Sequence, residues 1–166
     1  SSTIKAILRL LDETSGQILM DGKNLVAIKP KEKGRDPKAF KPFRKRMAVV
    51  QQDSRFSFFP DLKIRDSFKQ IVAAGNEGTI EELGENLEKV GLTKAHLDAY
   101  PQSLSSGEMK RMDIARALTS KPDILLLDEP FAHIDFDTRL HVINVIYDYL
   151  VSYAKIIVVV VHADFV

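Results

Sequence analysis

Two adjacent carboxylates, Asp128 and Glu129, close the apolar run Ile124-Leu125-Leu126-Leu127 and are followed by Pro130. Such a run reads as a strand buried on both faces, as in a parallel sheet covered by helices. The carboxyl ends of such strands are where open α/β folds bind ligands. One acid placed there can hold Mg²⁺, and its neighbour can orient or deprotonate a water, a pairing suited to nucleotide hydrolysis. Acids also follow strands simply as caps of the next helix. The pair therefore gains weight only from what stands near it.

Two further strand ends carry polar residues. Gln52 follows Val49-Val50, and His162 follows the run Val158 to Val161. A lone Gln or His in such a place is more often structural. In a parallel sheet, however, three polar strand ends lie along one edge and can converge on one ligand.

The elements that must position these residues read as follows. Ile4, Ile7, Leu8 and Leu11 have the spacing of one apolar helix face, broken by Thr14-Ser15-Gly16. Gln17 to Met20 reads as a strand and Asp21-Gly22 as its turn. Lys29 to Arg46 is rich in Lys and Arg and contains Pro30, Pro37 and Pro42, which predicts a loop. Met47 to Val50 is a second short buried strand. From Asp61 to Leu104 the texture is helical and amphipathic. There Thr79-Ile80-Glu81-Glu82 forms a capping-box pattern, Leu83, Leu87 and Val90 share a face, and Gly91 is a stop. A further helix is expected from Ser105-Ser106-Gly107 to Leu118, another from Asp137 to Tyr153, and then an apolar strand ending at His162. Strands alternating with helices predict a parallel α/β sheet with a helical insertion.

At 166 residues the chain suits one domain with a real core. Its 24 basic and 23 acidic residues nearly cancel, so no global field points to nucleic acid or an anionic membrane. The absence of cysteine excludes a disulfide framework and thiol chemistry. The run Ile156 to Val161 is far short of the roughly 20 apolar residues that span a bilayer. The chain starts without Met and inside an expected helix, the pattern of a fragment.

Taken together, the chain resembles the nucleotide-binding ATPase subunit of an ABC transporter, in the style of peptide and metal importers. Tyr100-Pro101-Gln102-Ser103-Leu104-Ser105-Ser106-Gly107-Glu108-Met109-Lys110-Arg111 resembles the family's signature stretch, usually YPxxLSGGQ followed by a basic helix. Ile124 to Pro130 resembles the Walker B strand, Ala132-His133-Ile134-Asp135 the D-loop, and Gln52-Asp53 through Pro60 the Q-loop. His162 stands where the switch histidine belongs. No G-x-x-x-x-G-K-[ST] phosphate loop is present. The resemblance puts Ser1 at that loop's final hydroxyl position, with Ser2 next. The first strands, the adenine-stacking aromatic and the phosphate cradle would then precede the chain.

The resemblance implies a P-loop NTPase-like α/β core with an inserted helical subdomain: residues 1–60 and 105–166 in the core, 61–104 in the insertion. It implies ATP and Mg²⁺ as ligands. Glu129 would be the base or water-positioning carboxylate, and His162 would contact the γ-phosphate. Asp128, Gln52 and Ser1 would approach the metal. Ser1, Ser2, Gln52, Ser105, Ser106, Gly107, Glu108 and Asp135 would meet nucleotide, the signature residues doing so across a head-to-tail dimer. Ser105 through Glu108 also fits a capping box, and the two readings are compatible because a capped helix start still points N–H groups outward.

Ser106 replaces a usual glycine and Glu108 a usual glutamine, departures that could weaken closure and slow hydrolysis. In the D-loop, Phe131-Ala132-His133 replaces commoner small, hydroxylated residues, and Val161 stands where threonine is frequent. Phe56, Phe58 and Phe59 lie where the family's groove receives a coupling helix of its permease, though core packing is an alternative reading of all three. The implied location is the cytoplasmic face of the cell membrane, held peripherally by permease subunits. A second reading is a non-transport ABC-type ATPase acting in repair, translation or assembly. The absence of heptads between Gln52 and Ser105 favours transport.

Overall fold

The acid pair stands at the end of the central strand of a three-stranded parallel sheet. The computed structural model describes residues 2–11, 15–28 and 39–161. The strands are β3 (Met47–Val50), β4 (Ile124–Asp128) and β5 (Ile156–Val160), in the order β3-β4-β5. Their register pairs Val50 with Leu127 and Asp128 with Val160, so the three carboxyl ends are level.

β4 is buried because helices cover both faces. Leu125 and Leu127 join a core with Met112, Ile114, Val142 and Ile146 on one face, while Leu126 packs with Ile4 and Leu8 on the other. All three leucines are 0% exposed, and each contributes about 1.5–3 kcal/mol of burial. The covering helices are α5 (Ser106–Thr119) and α6 (Phe136–Ser152) on the first face and α1 (Ser2–Ile7) on the second. α6 is apolar over a wide arc. Val142 and Ile146 face the core, while Phe136, Leu140, Ile143 and Tyr147 are exposed.

Between β3 and α5 run α3 (Ile64–Ala73) and α4 (Ile80–Lys89). Thr79 caps α4 reciprocally with Glu82, whose carboxylate accepts the Thr79 N–H at 2.9 Å, and Gly91 ends the turn at φ +75°. Phe68, Leu83 and Leu87 from this segment lie in the same apolar cluster as Val50 and Leu125. The sheet and the helical segment share one core.

Ahead of the sheet, β1 (Leu19–Met20) and β2 (Lys23–Asn24) form a hairpin. Asp21 and Gly22 turn it with φ +51° and +75°, the two positive values that a type I′ turn requires. Arg46 ties this hairpin to the sheet by donating to both Asp21 and Asp123.

Three expectations are corrected. The first helix ends at Ile7 rather than Leu11. Arg9 turns left-handed at φ +57°, and its N–H and that of Leu10 return to the Ala6 and Lys5 carbonyls as a Schellman cap. The basic segment is not loop throughout, since α2 (Lys41–Arg44) makes one helical turn with Pro42 in its first positions, anchored by buried Phe40 and Phe43. Much of that segment, 29–38, lies outside the described residues. The last strand ends at Val160, not at His162.

Candidate functional site

The level strand ends gather polar groups on one rim. Asp128, the last residue of β4, is 7% exposed and lines a cavity of 540 Å³ together with Ile4, Lys5, Gln52, Asp53 and Phe56. Gln52 lies two residues beyond β3 and is exposed. Asp53 accepts from the Arg55 N–H at 3.1 Å and from its guanidinium at 2.9 and 2.8 Å, which holds the Asp53 carboxyl below the usual range.

Glu129 is half-buried and stands in left-handed backbone at φ +49°. A non-glycine residue there costs on the order of 1 kcal/mol. The position is held because the Glu129 N–H donates to Val160 O at 2.8 Å and its carbonyl accepts from Ala132 N–H at 3.2 Å. Glu129 is thus fixed between the ends of β4 and β5. The chain then turns through His133, also left-handed at φ +63°, to Asp135, which caps α6 by accepting the Thr138 N–H at 3.0 Å.

The start of α5 forms a second polar feature. Ser105 Oγ accepts the Glu108 N–H at 3.2 Å, and the Glu108 carboxylate accepts from the Ser105 N–H at 2.9 Å and its hydroxyl at 2.8 Å. These bonds from Ser105 hold the Glu108 carboxyl below its ordinary value, and His96, whose Nε2 is 3.7 Å away, adds to the effect. Ser105 and Ser106 are exposed, so the tip of α5 faces solvent. A cleft of 610 Å³ runs from Gln52 and Asp53 past Lys110 to Ser106 and His133.

Gln52 and Asp128 line the same cavity, and Glu129 follows Asp128 directly at the end of β4. Ser2 is the exposed first residue of α1. Ser1 and His162 lie outside the described residues. Of the three aromatics, Phe56 is 78% and Phe59 50% exposed, but Phe58 is 5% exposed within the main core. Phe58 is thus a core residue, which corrects the expectation that all three rings meet a permease. Sequence reasoning missed Lys110, Asp113 and Arg116, whose side chains meet the backbone of Val49, Gln51 and Gln52. No local pattern marks them, because their backbone partners lie 58 to 67 positions away.

Among the described residues no three His, Asp or Glu side chains cluster closely enough to hold a metal by themselves. One carboxylate and one amide oxygen donor on a cavity rim suit Mg²⁺, which keeps water and phosphate ligands. No helix among these residues is long and apolar enough to cross a membrane.

A family model described as ABC transporter matches residues 1–132. The oligopeptide transport ATP-binding protein OppF of Bacillus subtilis is 30% identical over 149 residues, 87% of this chain and 47% of that protein. The glycine betaine/carnitine transport ATP-binding protein GbuA of Listeria monocytogenes is 33% identical over 165 residues, 98% of this chain and 39% of its own length. The chain thus spans less than half the length of these curated relatives. Among solved structures, the ATP-binding cassette MJ0796, a dimer in a post-hydrolysis state bound to ADP and Pi, superposes with a TM-score of 0.79. It is 22% identical and covers 98% of this chain and 69% of its own, a likeness of fold.

Proposed function

This chain belongs to the ABC transporter family, and we propose that it is the core of an ATP-hydrolysing subunit that powers transport through a membrane permease. The single observation that supports this most is the cavity shared by Gln52 and Asp128, with Glu129 next in the chain, beside a signature helix whose tip is solvent-exposed.

In this reading Asp128, Gln52 and Ser1 would hold Mg²⁺. Bound there, the ion would neutralise phosphate charge and polarise the bond to the leaving group. Glu129 accepts a hydrogen bond from the attacking water and takes its proton, and His162 contacts the γ-phosphate. The left-handed backbone at Glu129 marks the point where the chain leaves the strand, directly after Asp128. The N–H groups at the start of α5, together with Ser105 and Ser106, receive the γ-phosphate of a second copy or a paralogue. A helix of 14 residues presents enough positive dipole for that. Gly107, Glu108 and Asp135 line the same seam. Closure of the dimer moves the segment 61–104, and exposed Phe56 and Phe59 anchor the permease. The location follows from that partner: the cytoplasmic face of the membrane, peripherally bound.

The test is Glu129→Gln in the full-length protein. The expected result is loss of ATP turnover with accumulation of an ATP-bound dimer. Unchanged hydrolysis would remove Glu129 from the mechanism. The 166 residues alone, which hold no phosphate-loop motif, are expected to hydrolyse ATP negligibly, and robust turnover would overturn that placement.

A further inference from the structure

Three charged side chains of α5 grip the backbone that leads into Gln52. Arg116 Nη2 donates to Val49 O at 2.6 Å, and Asp113 Oδ2 accepts the Gln51 N–H at 3.3 Å. Lys110 Nζ donates to both Gln51 O and Gln52 O, at 2.7 and 2.8 Å. Asp113 is in turn paired with Arg116 at 2.7 Å. Lys110 is 2% and Asp113 0% exposed. Burying an ammonium costs several kcal/mol unless its donors are satisfied. An uncharged contact would fill this space at lower cost if packing alone were required.

From this geometry we infer that Lys110 is a positioning residue for Gln52, tying it to the helix whose tip meets the second nucleotide. α5 begins at Ser106, four residues before Lys110. A displacement of that helix tip therefore carries Lys110 with it. Two short bonds from one ammonium pass the displacement to the peptides on either side of Gln52 and so to its side chain on the cavity rim. The inference rests on the assignment of Gln52 to the nucleotide site.

The test is steady-state ATP hydrolysis by the full-length protein carrying Lys110→Met, Gln52→Ala or both. Lys110→Met is expected to lower kcat by about 10- to 100-fold, the scale of a small misplacement at a reacting centre, with the KM for ATP little changed. The double variant is expected to be no slower than Gln52→Ala alone, because Lys110 acts through Gln52. Lys110→Gln, whose amide can donate to both carbonyls, is expected to recover most of the lost rate, and Lys110→Ala is read in place of Lys110→Met if the latter does not fold. Losses that multiply in the double variant, or no loss in Lys110→Met, overturn the inference while leaving the rim intact. A Gln52→Ala protein with full activity would overturn the reading beneath it as well.

Discussion

Gly107 lies against the backbone of His133 so closely that a Cβ on Gly107 would stand 2.7 Å from the His133 carbonyl oxygen. The second residue of α5 and the turn after the acid pair are therefore one packed unit. His133 holds its own left-handed backbone at φ +63°, and a side chain at Gly107 would press on that turn directly.

Gly107→Ala is accordingly expected to destabilise the protein by about 1–3 kcal/mol, the usual cost of overpacking. The obstacle is a backbone atom that no rotamer change can move aside. A denaturant midpoint equal to that of the parent would show that the turn yields freely.

The capping box at Ser105 and Glu108 carries a pH dependence. The Glu108 carboxyl is depressed in the folded state, first by the Ser105 N–H and hydroxyl. A depressed acid contributes stability that is present above its unfolded value and lost as pH falls through its folded value. The slope of stability against pH below the ordinary glutamate range is therefore expected to be shallower in Glu108→Gln, which can still cap but does not titrate. Equal slopes would show that Glu108 adds nothing to acid sensitivity. Being about a third exposed, the group has a small effect in absolute terms.

Leu126 is the pivot between sheet and α1. It is 0% exposed and packs with Ile4 and Leu8 on the face opposite α5. Leu126→Ala is expected to cost about 2–5 kcal/mol, because the rigid strand cannot collapse into the space left. Thermal melting of parent and variant measures it. A cost under about 1 kcal/mol would mean that α1 closes the cavity by shifting.

Features fixed by neighbours in sequence were legible, and those fixed across the fold were not. Both capping boxes, at Thr79 and Ser105, could be read because donor and acceptor lie three residues apart. β4 could be read from its unbroken apolar run. The early end of α1 could not, because Arg9 turns left-handed without the glycine that usually marks such a cap. The grip of Lys110 on Gln51 and Gln52 joins residues 59 and 58 positions apart. No local pattern encodes it.

The aromatic segment shows the same divide and yields the sharpest contrast. Phe56, Phe58 and Phe59 look alike in the sequence, yet a 3₁₀ turn over Ser54–Ser57 rotates them apart. Phe56 points to solvent at 78% exposure, while Phe58, in extended backbone just after the turn, enters the core at 5%. Phe58→Ala is therefore expected to cost about 3–5 kcal/mol and to lower the urea midpoint clearly. Phe56→Ala is expected to change the unfolding free energy by no more than about 0.5 kcal/mol, as for an exposed site away from caps and core. If Phe56 anchors a permease, the same substitution weakens co-purification with the membrane subunits while the isolated protein stays as stable as before. A Phe56→Ala protein that melts early would place this ring in the fold and not at an interface. Undiminished co-purification would take it out of the docking surface.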